Sequence, residues 1–389
     1  MGVKIDVALR RSECYAGDVV RGTVTVNVEA KDAGTAADSL VIRLVGLTKA
    51  RVISKNQSAY ITTSGAAAFT DHSTSSEDTE FLGYDIHLAS FHQKKIDAGV
   101  HSYPFSVALP AGLPPSMQEQ GGEGSCAIAY GFMARLHRPG LLKFDSKAKA
   151  QLKVLGKPQE TAVTLPVVIG PATRVVKRCY CLKSGSISVG FQADRSALGL
   201  NESLGLTVVA RNDSSATVKA LHIDIMQETT WYARGTKSSN TRSLTSTVVP
   251  GTGLAAAELG SSRGQSDASI EDKAREDLRG QLAAGAGTRY EILVPGDAST
   301  TLQSEFIEVR HMLTVRLETP FCVDSPEEWM PLRVQPHTVS MAAASSAAPP
   351  SEQAPPASDV PPVSVPQSAV KLVFSNELPP YAGPGKKPY

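Results

Sequence analysis

The sequence lacks the long apolar runs that mark a membrane-crossing helix or a secretory signal. No stretch reaches the roughly 18 uninterrupted apolar residues that such a helix needs. The first residues, MGVKIDVALRRSE, contain no apolar run of signal-peptide length. Gly2 stands where a myristoylation motif would begin, but Asp6 occupies the position that requires Ser or Thr. We therefore expect a cytoplasmic protein without a transmembrane segment.

Cysteine is also scarce, with 5 residues scattered along 389 positions. An odd and scattered set argues against a disulfide framework. Cys179 and Cys181 fall on one face of a strand, but the sequence offers no further ligands to complete a zinc site. No histidine pair has metal-ligand spacing, and nucleophile-elbow, phosphate-loop and dinucleotide fingerprints are missing. The sequence therefore predicts no enzyme, no cofactor and no metal.

A charge excess of either sign is missing as well. The chain carries 39 basic and 38 acidic residues, a formal net charge of +1. Because no global field attracts it to a polyanion, we expect no nucleic-acid partner, and electrostatic binding must come from local clusters.

Strict alternation of apolar and polar residues dominates what is present. Val20, Gly22, Val24, Val26 and Val28 share one face, with polar residues between them. This period of two is typical of a half-buried strand. The same alternation recurs at 40–47, 130–136, 204–208, 221–227 and 307–317. Turn clusters rather than helices separate these segments, so the sequence predicts an all-β class with antiparallel sandwiches.

Composition divides the chain into three parts. A segment with several prolines, 155–173, separates two strand-rich halves, which predicts domains at 1–170 and 171–339. The Ser/Thr-rich stretch 55–80 has the composition of a long surface loop. An insertion at about 250–289 contains the one helix candidate, capped by Ser269, with Ile270, Ala274, Leu278 and Leu282 four residues apart. From 340 to 389 the chain is rich in Ala, Pro and Ser, and we expect a disordered tail.

Several segments, taken in order, resemble a known family. They are YAGDVVRGTVTV, LVIRLVGL, DAGVHSYPFSVALPAGLPPSM and IAYGFMARLHRPG in the first half, followed by CLKSGSISVGFQADRSALGLNESLGLTVVARNDSSATVKALHIDIMQETTWYA and SEFIEVRHMLTVRLETPFCVDSPEEWMPLRV in the second. Over roughly 3–335 the chain resembles arrestins, above all the α-arrestin (arrestin-domain-containing) branch. The resemblance implies two arrestin-type β-sandwiches of immunoglobulin-like architecture in tandem, without a catalytic site.

The resemblance also implies a function. Members of this branch are adaptors whose arrestin domains engage membrane transporters or receptors as cargo. Their tails recruit WW-domain HECT-type ubiquitin ligases, and the cargo then enters ubiquitin-dependent endocytosis or endosomal sorting. The implied location is the cytoplasm, with recruitment to the plasma membrane or endosomes.

The tail carries one variant of the motif that such recruitment needs. The usual Pro-Pro-x-Tyr is missing, but Leu378, Pro379, Pro380 and Tyr381 form a Leu-Pro-x-Tyr sequence. Two consecutive prolines favour the polyproline II conformation that a WW groove binds, and the tyrosine ring fits the adjacent pocket. A proline-rich tail can also contain this sequence by chance.

A second tail segment, AVKLVFSNE, is an apolar cluster that could add as a strand to an edge of the first domain. Its apolar residues are Val370, Leu372, Val373 and Phe374. This expectation resembles the tail docking that keeps visual and β-arrestins inactive.

Local basic clusters are candidate contacts for phosphorylated cargo or anionic lipid. In KAKAQLK, the lysines at 147, 149 and 153 fall on one face of a strand. Arg10 and Arg11 lie near the end of the first strand, where β-arrestins carry a lysine pair that reads receptor phosphates. The full candidate set is Arg10, Arg11, Lys147, Lys149, Lys153, Arg174, Lys177 and Arg178. The alternative is that these cations only keep a sandwich face solvated.

Two other functions remain open on the sequence. An arrestin-fold subunit of a coat or of a retromer-type sorting complex would share the sandwiches and would not need the tail motif. A signalling or redox scaffold is the third possibility, since thioredoxin-interacting members of the branch use a cysteine.

Overall fold

The computed structural model describes residues 3–62, 65–91, 95–139, 145–157, 166–178, 182–214, 216–251, 267–284, 286–320, 324–336 and 360–372. Within these ranges the protein consists of β-strands, one α-helix and two short 3-10 helices. The all-β class predicted from the alternation is therefore confirmed.

The first sandwich, called here the N-domain, contains strands from the first 155 residues and one strand from the tail. Its strands are β1 (Val3–Leu9), β2 (Glu13–Tyr15), β3 (Val19–Val28), β4 (Thr35–Ala36), β5 (Ser39–Thr62), β6 (Gly65–Ser90), β7 (Lys95–Ile96), β8 (Gly99–Ala108), β9 (Met117–Gly121), β10 (Gly124–His137) and β11 (Ser146–Leu155). A 3-10 helix covers Ala30–Asp32.

The second sandwich, the C-domain, contains the only α-helix among the described residues. Its elements are β12 (Val167–Arg178), β13 (Leu182–Ala193), β14 (Ala197–Gly199), β15 (Ser203–Ser214), β16 (Ala220–Ala233), β17 (Thr236–Pro250), α1 (Asp267–Ala283), β18 (Thr288–Leu293), β19 (Leu302–Gln303), β20 (Ile307–Glu318) and β21 (Glu327–Gln335). The tail adds β22 (Val363–Ser364) and a 3-10 helix at Gln367–Ala369.

The two sandwiches repeat one layout. Each pairs a four-stranded sheet, β1-β3-β8-β22 or β12-β13-β15-β18, with a six-stranded sheet. The longer sheets run β2-β11-β10-β5-β6 and β14-β21-β20-β16-β17, and in each a short extra strand, β9 or β19, pairs with a central strand. In each six-stranded sheet, the strand that comes first along the chain is short and pairs in parallel with the strand that comes last along the chain. These pairs are β2 with β11 and β14 with β21. This repetition is the tandem arrangement that the sequence predicts.

Alternation along the strands builds the cores. In β10 the side chains at even positions from Cys126 to Leu136 are buried, and those between them face outward. The Tyr130 hydroxyl is satisfied in the core by donating to the carbonyl of Pro114, 2.7 Å away. Burial on one face of a two-residue period fixes the register of each strand.

Three segments differ from their sequence-based expectations. Much of the stretch 55–80, expected to be a loop, belongs to β5 and β6, which pair as far as Thr62 and Gly65. The stretch contains no proline, so nothing interrupts the antiparallel ladder. Helix α1 begins at Asp267, so Ser269 lies inside it and is not its cap. Residues 360–372, within the tail expected to be disordered, form β22 and a 3-10 helix against the N-domain.

Candidate functional site

The tail adds to the open edge of the N-domain's four-stranded sheet. Val363 and Ser364 pair in parallel with Val107 and Ala108 of β8. The amide of Val365 donates to the carbonyl of Ala108 at 3.2 Å, and the Val365 side chain is buried. The tail thus covers backbone groups that an edge strand would otherwise expose.

A second contact follows one turn further along the tail. Val370 forms an isolated antiparallel bridge with Leu82 of β6, and the amide of Lys371 donates to the carbonyl of Phe81 at 2.7 Å. The side chains of Val370 and Leu372 pack at the edge of the N-domain core. Residues 360–372 therefore contact both sheets of the N-domain, and they are called here the docked segment.

The structure describes only some of the tail residues that the sequence analysis named. Val370 and Leu372 lie in the docked segment. Val373, Phe374 and the motif at Leu378, Pro379, Pro380 and Tyr381 lie outside the described residues. Sequence reasoning missed Val363 and Val365, although VPPVSV is the one tail repeat with valines two residues apart.

The lysine strip lies on β11, at the side of the N-domain's six-stranded sheet. Lys147, Lys149 and Lys153 are exposed, whereas Leu152 and Val154 point into the core. Lys153 is paired with the carboxylate of Glu13 at 2.9 Å. Lys147 and Lys149 have no ion-pair partner among the described residues, so their charge is available to a ligand.

The strip continues onto the neighbouring strands. Lys147 stands beside Arg135 of β10, which in turn stands beside Val41 of β5. A cavity of about 380 Å³ on this face is lined in part by Arg135, His87 and Arg43. Arg43 is neutralised by Glu80 and Asp85, which hold its pKa above the usual value through hydrogen bonds. Arg135 lies 3.9 Å from the carboxylate of Asp145, so the charge of the strip without an ion-pair partner among the described residues is that of Lys147 and Lys149.

The remaining basic candidates do not join this strip in one cluster. Arg10 and Arg11 follow β1, and the carbonyl of the next residue, Ser12, accepts a hydrogen bond from the amide of Lys153. Arg174 is exposed on β12 in the C-domain. Lys177 and Arg178 also lie on β12, and the structure describes their backbone only.

A polar contact joins the two domains. The carboxylate of Glu119 on β9 accepts hydrogen bonds from Asn240 Nδ2 at 2.9 Å and from Gln227 Nε2 at 3.2 Å. The amide of Arg234, in the turn after β16, donates to Glu77 at 2.7 Å. Carboxylates of the N-domain thus bind amide groups of the C-domain where the two domains meet.

The described cysteines are poor nucleophiles. Burial raises the pKa of the Cys126 thiol to about 12, and the nearby Glu119 charge adds to the effect. Burial, together with the charge of Asp18, raises the pKa of Cys14 to about 11. Because the thiolate is the reactive form, neither residue is suited to redox exchange near neutral pH.

His311 is buried in the C-domain. Its Nδ1 lies 3.0 Å from Thr301 Oγ1, and burial together with the charge of Arg242 lowers its pKa to about 3. Among the described residues no group of three or more His, Cys, Asp or Glu side chains could hold a metal. In the same part of the chain, no helix combines the length and the apolar character needed to cross a membrane.

The comparison with known families matches the N-domain. Residues 3–160 match the family described as Arrestin (or S-antigen), N-terminal domain. The matched range includes β1 to β11 and ends in the connection to the C-domain. The second sandwich, with the same strand layout, follows directly. The match therefore identifies an arrestin-type N-terminal domain, and the second sandwich repeats its strand layout.

Proposed function

We propose that the protein is a non-enzymatic trafficking adaptor of the α-arrestin type. Its two sandwiches bind a membrane-protein cargo, and its tail recruits WW-domain HECT-type ubiquitin ligases for endocytosis or endosomal sorting. The protein is cytoplasmic and is recruited peripherally to the plasma membrane or to endosomes. The arrestin match supports the adaptor role, and the sequence of the tail supports the ligase.

The docked segment is the observation that carries this proposal. It anchors the tail to the N-domain as far as Leu372, and Leu378 follows six residues later. Six residues span at most about 21 Å when fully extended. A ligase bound at Leu378 to Tyr381 is therefore held close to the domain that binds cargo, which raises the effective concentration of the ligase at the cargo.

The motif offers a WW domain a preorganised ligand. Pro379 and Pro380 lose little entropy on binding in the polyproline II conformation. Burying the ring of Tyr381 contributes about 1.5–3 kcal/mol. Replacing it with alanine should therefore weaken binding by about tenfold or more.

The lysine strip is the proposed contact for negatively charged partners. Lys147 and Lys149 are exposed and have no ion-pair partner in the part of the chain that the structure describes. Phosphate is the chemistry shared by phosphorylated cargo and by anionic lipid headgroups. Arg10, Arg11 and Arg174 are secondary candidates, since they lie on separate elements. Changing Lys147 and Lys149 to Glu should reduce both cargo capture and liposome binding if the strip is such a contact.

The proposed function is tested by isothermal titration of a peptide of residues 371–389 against a panel of WW domains. Tyr381→Ala is the test variant, and Tyr389→Ala is the matched control, because the terminal Lys-Pro-Tyr lacks the motif. Binding that is lost only with Tyr381 supports the proposal. If no WW domain binds, the tail has no ligase partner, and a coat or retromer-type sorting subunit becomes the better function.

A further inference from the structure

Helix α1, inserted between β17 and β18, lies on the outer face of the C-domain's four-stranded sheet. Ile187, Val189 and Phe191 of β13 point from this sheet into the core. Ser188 and Gly190 point to the opposite face, and Ser188 is buried there against Thr173 of β12, with the two hydroxyls 2.9 Å apart. The sheet thus has a covered outer face in addition to its core face.

The sheet provides a notch that matches one side chain of the helix. A side-chain carbon added at Gly190 would stand 3.1 Å from Cδ1 of Leu282 and 3.4 Å from Pro171. At 3.1 Å this added carbon would press on the leucine, so glycine is the residue that gives Leu282 the most room at this point. Leu278, one turn earlier, is fully buried against Val209 of β15. The two leucines, four residues apart, therefore lie on one face of the helix.

An arginine beside the notch forms an ion pair with an acidic residue of the helix. Arg211 of β15 pairs with Asp277 at 3.1 Å, and Asp277 directly precedes Leu278. Arg211 is also paired with Asp213 at 2.5 Å, which holds the guanidinium in place on the sheet surface. The groove defined by Gly190, Val209 and Arg211 thus recognises two leucines and one acidic residue.

Few of the described side chains of the helix are buried. Leu278 and Leu282 are the only buried side chains among the helix residues whose side chains are described. Gly280 lies between them, and glycine disfavours the helical conformation. Ordering a helix of this length costs conformational entropy that two leucines offset only in part. The groove is therefore shaped for these two leucines, which are the side chains of the described helix that it buries.

We propose that this groove is a helix-binding site that α1 fills within the chain. A partner protein enters it with an acidic amphipathic helix that has leucines four residues apart and an Asp or Glu before the first. The charge of Arg211 and the notch at Gly190 select this chemistry. The site lies in the C-domain and does not depend on the tail motif or on ligase recruitment.

The test uses the full-length chain and a fluorescent peptide of residues 267–284. Leu278→Ser with Leu282→Ser removes α1 from the groove without changing the sheet. This variant should bind the peptide at least about tenfold more tightly than the wild type, in which only the undocked fraction is competent. Fluorescence anisotropy measures both affinities. Failure of the variant to bind, or equal binding by the wild type, overturns the proposal.

Two further changes locate the binding. Gly190→Val in the same variant fills the notch and should abolish binding, whereas Gly122→Val, at a position with open space around it, should not. If Gly190→Val does not fold, the ion pair between Arg211 and Asp277 provides the test. Arg211→Glu should weaken binding of the native peptide, and a peptide with Asp277→Lys should restore it. The proposal is overturned if neither Gly190→Val nor Arg211→Glu changes the affinity for the peptide.

Discussion

The indole Nε1 of Trp231 donates a hydrogen bond to the carbonyl oxygen of Arg51, 2.9 Å away. Trp231 belongs to β16 of the C-domain, and Arg51 to β5 of the N-domain. Trp231 is fully buried, and with Ile307 and Val309 it extends the hydrophobic core of the N-domain across the domain boundary. The two sandwiches therefore share part of one core.

Trp231→Ala should destabilise the whole chain and separate the unfolding of its two domains. Truncating a buried aromatic residue costs about 3–5 kcal/mol, and here the loss falls at the joint between domains. Differential scanning calorimetry should show one main transition in the wild type and two in the variant. Trp231→Phe keeps most of the ring and loses the hydrogen bond, so its loss of stability should be smaller than that of Trp231→Ala. Two separate transitions already present in the wild type would contradict this account of the joint.

Val365→Asp should detach the docked segment. The change places a charge where the side chain is buried against the N-domain, and a buried unpaired charge is costly. The amides of Val365 and Lys371, which donate to Ala108 and Phe81, should then exchange hydrogen much faster. Val360→Asp is the matched control, since Val360 is more than a third exposed. Equal exchange in the wild type and in Val365→Asp would show that the segment is not docked in solution.

Glu328 should make the stability of the C-domain depend on pH. Burial raises the pKa of this carboxyl to about 7, although Arg174 and Arg275 act in the opposite direction. Its contribution to stability is fully present below the unfolded pKa of about 4.3 and is lost as the pH rises through 7. The melting temperature of the wild type should therefore fall between pH 5 and 8 relative to that of Glu328→Gln. Glu327→Gln, at an exposed neighbouring position, should follow the wild type. Parallel curves for wild type and Glu328→Gln would refute the assignment.

Cys14 and Cys126 should resist thiol reagents while the chain is folded. Their raised pKa values keep both thiols protonated at pH 8. The experiment uses a chain in which Cys179, Cys181 and Cys322 are replaced by serine, and it follows labelling with and without guanidinium. We expect slow labelling in the folded state and complete labelling after unfolding. Rapid labelling of the folded chain would instead favour a redox scaffold.

Much of the fold could be predicted from the sequence because burial on one face imposes a period of two. The residues of β10 from Tyr130 to Leu136 show this pattern without exception. The alternation could not reveal the length of β5 and β6, since the sequence near the end of their hairpin has no repeated apolar face and only the backbone pairing shows the strands. Trp231 also reads as an ordinary core residue, and only the three-dimensional arrangement shows that it crosses between domains.

The candidate site was harder to predict than the fold. Val370 and Leu372 stand out in the tail as an apolar cluster, but Val363 and Val365 are separated by polar Ser364 and bracketed by prolines. Their docking depends on the unpaired edge of β8, a property of the folded N-domain that no local pattern contains. The lysines of β11 could be placed on one face by alternation, whereas the pairing of Lys153 with Glu13 required the parallel contact between β11 and β2.

Ligase recruitment by the full-length chain tests the central proposal most directly. The measurement is ubiquitin transfer onto the chain itself by a HECT-type ligase with WW domains, for the wild type, Tyr381→Ala and Tyr389→Ala. The proposal predicts modification of the wild type and of Tyr389→Ala, and its loss in Tyr381→Ala. Equal modification of all three proteins, or of none, would contradict recruitment through Leu378 to Tyr381.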